Sequence, residues 1–120
     1  MEPRAAGQDD TESGIRHMAH DRIRTPEVDQ LLETFASIDD PDQIYALLQD
    51  LCTVREIQDM SQRLTVACLL AEGEHYSAIQ EQTGISATTI SRVSKALNYG
   101  ADGYRIALQV LGKLPAEDEE

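Results

Sequence analysis

Two apolar stripes of identical spacing, Val28/Leu31/Leu32/Phe35 and Ile44/Leu47/Leu48/Leu51, occupy the first half of this chain. Residues at i, i+3, i+4 and i+7 gather on one side of an α-helix, which turns every ~3.6 residues, and scatter over both faces of a strand. Each stripe follows a helix-start signal. Thr25-Pro26-Glu27 supplies an N-cap, a proline at the first helical position and an acid at the positive end of the helix dipole. Asp40-Pro41-Asp42-Gln43 repeats the device, with Asp and Gln at capping-box spacing. A third box, Thr53-Val54-Arg55-Glu56, opens a longer stripe through Ile57, Met60, Leu64, Ala67, Cys68 and Ala71, which Gly73 is placed to stop. The pattern predicts an all-α chain.

A helical chain of 120 residues holds one modest core, and its only aromatic residues are Phe35 and four tyrosines. Leu, Ile, Val and Ala must do the packing, and small aliphatic subunits of this kind often complete their core across a dimer interface. The expected layout is a flexible N-terminal arm over 1–24, a helical domain over 25–112 and an acidic tail over 113–120. In the arm, His17 and His20 could form half a metal site and Arg16, Arg22 and Arg24 could touch phosphate, but a solvated tail accounts for both. Cys52 and Cys68 have neither CxxC nor zinc-finger spacing and read as reduced core thiols. No apolar run approaches the ~18 residues that span a bilayer, and no charged-then-apolar start resembles a signal peptide, so a cytoplasmic protein without membrane contact is expected. Neither a GxSxG, P-loop or HExxH motif nor a Cys/His pair appears on the ordered elements, which points away from an enzyme and from a cofactor.

The charge is uneven. The chain carries 22 acids against 10 Lys and Arg, a net charge of −12. Seven acids and no Lys or Arg lie within 25–50, so those helices present a surface suited to water or to a protein partner. Yet TTISRVSKALNYG, residues 88–100, has two bases and no acid. It lies inside YSAIQEQTGISATTISRVSKALNYG, which reads as a helix-turn-helix over about 77–98. Ser77 is expected to cap a short helix carrying Ala78 and Ile79, Thr83-Gly84 to supply a sharp turn, and Ser86 to cap a second helix with Ile90, Val93 and Leu97 inward. Small residues at the start of the second helix let it approach base edges. Ser86, Ala87, Thr88 and Ser91 are therefore the candidate base readers, with Tyr76, Ser77, Gln80 and Lys95 the candidate phosphate contacts. A carboxylate on that surface would oppose binding to DNA, which accounts for its absence there.

Residues 44–108 resemble the tryptophan repressor superfamily, and closely its bacterial YerC/YecD branch, through the blocks DLCTVREIQDMSQRL, LLAEGEHYSAIQEQTGIS, TTISRVSKALNYG and GYRIAL. The resemblance implies an intertwined helical homodimer, whose first three helices interlock with a partner's while two reading heads face successive major grooves of double-stranded DNA. It also implies an amino-acid effector held by two arginines, which by motif position correspond to Arg63 and Arg92, beside the helix-capping Thr53. The tryptophan-sensing members have a glycine where this chain has Val93, whose branched side chain would fill the space of the indole. A small anion other than tryptophan is then the candidate effector, or the two arginines pair with acids such as Glu56 or Asp59. Two functions follow: a sequence-specific DNA-binding transcriptional regulator, or an interaction module of helix-turn-helix shape that docks a protein through its acidic face.

Overall fold

The computed structural model describes residues 22–114, which are helical with no strand among them. Six helices follow in order: α1 Pro26–Ser37, α2 Pro41–Leu51, α3 Val54–Ala71, α4 Tyr76–Thr83, α5 Ala87–Tyr99 and α6 Gly103–Val110. The chain divides into two units, Met1–Leu48 and Gln49–Glu120. Most of the proposed arm, with His17, His20 and Arg16, lies outside the described residues, as does 115–120 of the acidic tail.

In the first unit the start signals act as read. Thr25 Oγ1 accepts a hydrogen bond from the Val28 amide at 3.2 Å, and Pro26 opens α1. The Asp40 carboxylate accepts from the Asp42 amide at 3.1 Å, while the reciprocal bond expected from Gln43 is not made among the described residues. The Asp40 side chain thereby satisfies one of the free amides at the start of α2. Neither α1 nor the stripe of α2 buries a side chain completely within the chain. Leu31 and Leu32 remain 39% and 44% exposed.

The second unit holds the core. Val66 and Ala67 of α3 meet Ile79 of α4, Ile85 of the turn and Ile90 and Val93 of α5, with Leu69, Leu70 and Tyr104 packed around them. Removing each such branched side chain from water stabilises by about 1.5–3 kcal/mol, enough to fix α4 and α5 on α3. The expected stripe of α3 omitted Val66, which is completely buried. The helix has two apolar sides: Val66, Leu69 and Leu70 face this core, while Met60 on the stripe read from the sequence stays exposed. Cys52 and Cys68 are free thiols, as expected, but half-buried rather than within the core of the single chain. Leu108, the buried residue of α6, packs that helix onto the unit.

Helix ends are closed by local bonds. The Thr53 capping box is complete, with Thr53 Oγ1 accepting from the Glu56 amide at 3.0 Å and Glu56 Oε1 from the Thr53 amide at 2.8 Å. Gly73 takes φ +89, the Glu74 amide donates to the Leu69 carbonyl and the Gly73 amide to that of Leu70, which is a Schellman stop. Gly112 ends α6 likewise, and Lys113 then returns to Glu72, Nζ to Oε2 at 3.1 Å across 41 residues. That hydrogen bond, and secondly the carboxylate's charge, hold the Lys113 ammonium above its ordinary value. The expected acidic tail thus starts with a residue tied to the end of α3.

Candidate nucleic-acid interface

α4 and α5 are joined by three residues, Gly84, Ile85 and Ser86, and each has a separate task. Gly84 adopts φ +77, the left-handed conformation that a side chain disfavours, and its amide donates to the Gln80 carbonyl at 2.8 Å. Ile85, 8% exposed, drives the turn into the core. Thr83 locks it from the other side: its hydroxyl donates to the Ile79 carbonyl at 2.6 Å and accepts from the Ile85 amide at 3.1 Å. Ser86 caps α5, accepting from the Thr89 amide at 3.2 Å. The orientation of α5 is therefore set by a buried anchor and a hydroxyl clamp.

The start of α4 differs from expectation. Helical backbone begins at Tyr76 and the cap position is His75, which makes no side-chain capping bond, so Ser77 lies within the first turn. Its hydroxyl is left to solvent or to a ligand. Thr25, Thr53 and Ser86 are true caps and Ser77 is not: His75 is still extended and helical backbone starts at Tyr76, one residue before the serine.

All eight candidate contact residues, Tyr76, Ser77, Gln80, Ser86, Ala87, Thr88, Ser91 and Lys95, are exposed. On α5 the division is clean: Ile90 and Val93 are 0% and 2% exposed, whereas Ala87, Thr88, Ser91 and Lys95 face outward. The helix carries no acid, and neither Arg92 nor Lys95 enters an ion pair among the described residues. An amphipathic helix with a capped, positively polarised N-terminus, small polar residues on its leading turn and an unpaired ammonium two turns on is chemically equipped to meet a polyanion.

Arg63 borders a cleft beside the turn. A cleft of about 340 Å³ is lined by Arg55, Asp59, Gln62 and Arg63 of α3 and by Thr83, Gly84, Ile85, Ser86 and Thr89; Arg92 is not among its lining residues. Arg63 pairs with neither Glu56 nor Asp59. Glu56 is held in the capping box, and Asp59 lies 3.4 Å from Arg55. Thr53 is likewise engaged as a cap. Val93 packs inward among Val66, Ala67, Ile79, Ile85 and Ile90.

Sequence and fold comparisons agree with this geometry. The family described as Trp repressor protein matches residues 26–111. Over 91 residues the chain is 47% identical to the protein YerC of Bacillus subtilis (strain 168), covering 76% of this chain and 88% of that protein. A TrpR-like protein from Eubacterium eligens ATCC 27750 has a similar fold, with a TM-score of 0.74 and 42% identity over 81% of this chain and all of that one. A candidate Trp repressor from Staphylococcus aureus gives a TM-score of 0.73 and 35% identity, covering 78% and 93%. No helix among the described residues is long and apolar enough to cross a membrane. With residues 26–111 inside the family's pattern and solved relatives sharing the fold, the chain belongs to the Trp repressor family, in its TrpR-like YerC branch.

Proposed function

We propose that this chain is a homodimeric, sequence-specific DNA-binding transcriptional regulator that reads the major groove with α5. The observation that carries this reading is the acid-free, exposed face of α5 in a chain of net charge −12. In so acidic a protein, phosphate affinity depends on keeping carboxylates off the contact surface. Between His75 and Arg105 the bases Arg92, Lys95 and Arg105 outnumber the acids Glu81 and Asp102. Tyr76, Ser77, Gln80 and Lys95 steady the phosphate backbone in this scheme, while Ser86, Ala87, Thr88 and Ser91 meet base edges. The net charge makes non-specific capture weak, so affinity rests on good base contacts.

Two substitutions separate these roles in a titration against a preferred and a random duplex. Lys95→Ala weakens binding to both and lowers the salt slope by about one unit, the signature of a lost phosphate contact. Thr88→Ala costs about 1–3 kcal/mol on the preferred duplex only. Equal losses on both duplexes for both variants would show the roles to be misassigned. A protein docked through the acidic α1–α2 surface instead of DNA would leave the parent chain without sequence preference.

The effector reading follows from Val93. In this reading Val93 fills, on the core face of α5, the space that the tryptophan-sensing members leave open with a glycine, so the parent does not take tryptophan and a smaller anion is the candidate effector. A ligand at ~100 times its Kd stabilises the folded state by about 2.7 kcal/mol, so the measurement is a thermal shift. Tryptophan is expected to leave the melting temperature of the parent unchanged and to raise that of Val93→Gly. Because glycine in a helix and the cavity it leaves both destabilise, Val93→Ala is run beside it. Stabilisation of the parent by tryptophan would refute the filled-pocket account.

A further inference from the structure

Tyr99 is 85% exposed, more than any other described large apolar or aromatic side chain, and it belongs to the last turn of α5. Its hydroxyl has no hydrogen-bond partner among the described residues. A tyrosine left in water on a helix whose neighbouring turns are built for the core is unexplained by packing, since Ile90 and Val93 already supply the buried face. Helical register shows where it points. Thr88, Lys95 and Tyr99 fall at i, i+7 and i+11, a near-integral number of turns, so Tyr99 continues the outward ridge of the base reader and the lysine. The helix stops just after it: a Cβ at Gly100 would collide with the Ala96 carbonyl, so the glycine lets the backbone leave the helix there.

We infer that Tyr99 is a positioning residue for DNA, its phenol donating a hydrogen bond to a backbone phosphate at the rim of the groove beside Lys95. The inference rests on the reading of α5 as the groove-reading helix. At ~1.5 Å per residue, Tyr99 lies about 16 Å along the axis from Thr88, and Lys95 about 10 Å. The major groove is ~12 Å wide and ~8.5 Å deep, so a helix with its first turn on base edges has reached the phosphates by Lys95 and passed them by Tyr99. Side chains on a helix tilt back towards its N-terminus, over the preceding turn. That tilt brings the Tyr99 hydroxyl back from beyond the rim towards the phosphates, one turn past the lysine, where an O–H donor suits phosphate oxygen and an aromatic body covers the sugar edge. The contact carries no sequence information. It fixes how deeply and at what angle α5 enters, and it adds no charge to a surface already set against the −12 background.

The test is fluorescence anisotropy of the full chain with two labelled duplexes, one selected from sheared genomic DNA and one of scrambled sequence, at several salt concentrations. Tyr99→Phe keeps the ring and removes the donor. It is expected to weaken binding about three- to tenfold on both duplexes, the span of one net hydrogen bond, with the salt slope and melting temperature of the parent. Tyr99→Lys at the same place should steepen the slope by about one unit, as an added phosphate contact does. A merely structural tyrosine would move the melting temperature and leave the slope of the lysine variant alone. Parent-like affinity of Tyr99→Phe overturns the hydrogen bond even if Tyr99→Lys steepens the slope, and leaves the DNA reading intact provided that Lys95→Ala still binds less tightly. Absence of binding by the parent to either duplex overturns both.

Discussion

Ile90→Ala is expected to lower the free energy of unfolding by about 2–5 kcal/mol, the cost of deleting a large aliphatic side chain from a filled site. Ile90 is completely buried and belongs to the cluster that joins α3, α4, the turn and α5. With a total stability of about 5–15 kcal/mol typical of such domains, the loss would also release α5 and weaken DNA binding without altering any contact residue. Thermal and urea unfolding followed by circular dichroism measure it. Ser91→Ala, one residue along on the exposed side, is the control and should stay within about 0.5 kcal/mol. An Ile90→Ala loss no larger than that of Ser91→Ala would mean that the cluster does not anchor the helix.

Placing carboxylates on the exposed stripe of α1, as Leu31→Glu with Leu32→Glu, is expected to dissociate the proposed dimer. Leu31, Leu32, Leu51 and Val54 are all exposed within a single chain, and Val54 is 71% exposed. If the proposed dimer covers the stripe of α1, a carboxylate placed there is buried unpaired, which costs several kcal/mol, on the order of a hundredfold or more in the association constant. Light scattering at micromolar concentration should give the parent twice its 13.3 kDa chain mass and the variant the chain mass alone. A parent that scatters as a single chain would remove the basis for two reading heads. If the variant does not fold, Leu32→Glu alone gives a milder test through the concentration dependence of its mass.

Local chemistry was legible in the sequence wherever it closed within a few residues. The Thr25 and Thr53 caps, the stop at Gly73, the turn at Gly84 and the Ser86 cap all depend on neighbours no more than five positions away, and each forms as the pattern predicts. Ser77 was misread for the same reason in reverse. A serine before an apolar helix looks like a cap, but the helix begins at Tyr76 and the cap position falls two residues before the serine, at His75. Val66 was invisible because periodicity finds one stripe at a time, whereas α3 is apolar on two sides. Its second stripe, Val66, Leu69 and Leu70 at i, i+3 and i+4, was present to be found.

The arginines show the limit of motif position. Matching Arg63 and Arg92 to an effector pair presumes a distance that sequence does not contain; in the structure Arg63 lines a cleft with Arg55, Asp59 and the turn. Tyr99 was passed over because an exposed tyrosine has no spacing signature. Its register relative to Thr88 and Lys95 was readable, but the burial that leaves it free of the core was not.

The most direct measurement is selection of bound fragments from sheared genomic DNA by the full-length chain at low and moderate salt, followed by sequencing. A dimer with two projecting reading helices is predicted to enrich fragments that share a two-fold symmetric sequence, its half-sites centred about one helical turn, ~10 base pairs, apart. The enrichment should survive the higher salt, because base contacts outlast the counterion term that dominates random binding. Recovery of fragments in proportion to their input abundance at both salt concentrations would contradict sequence-specific recognition by α5.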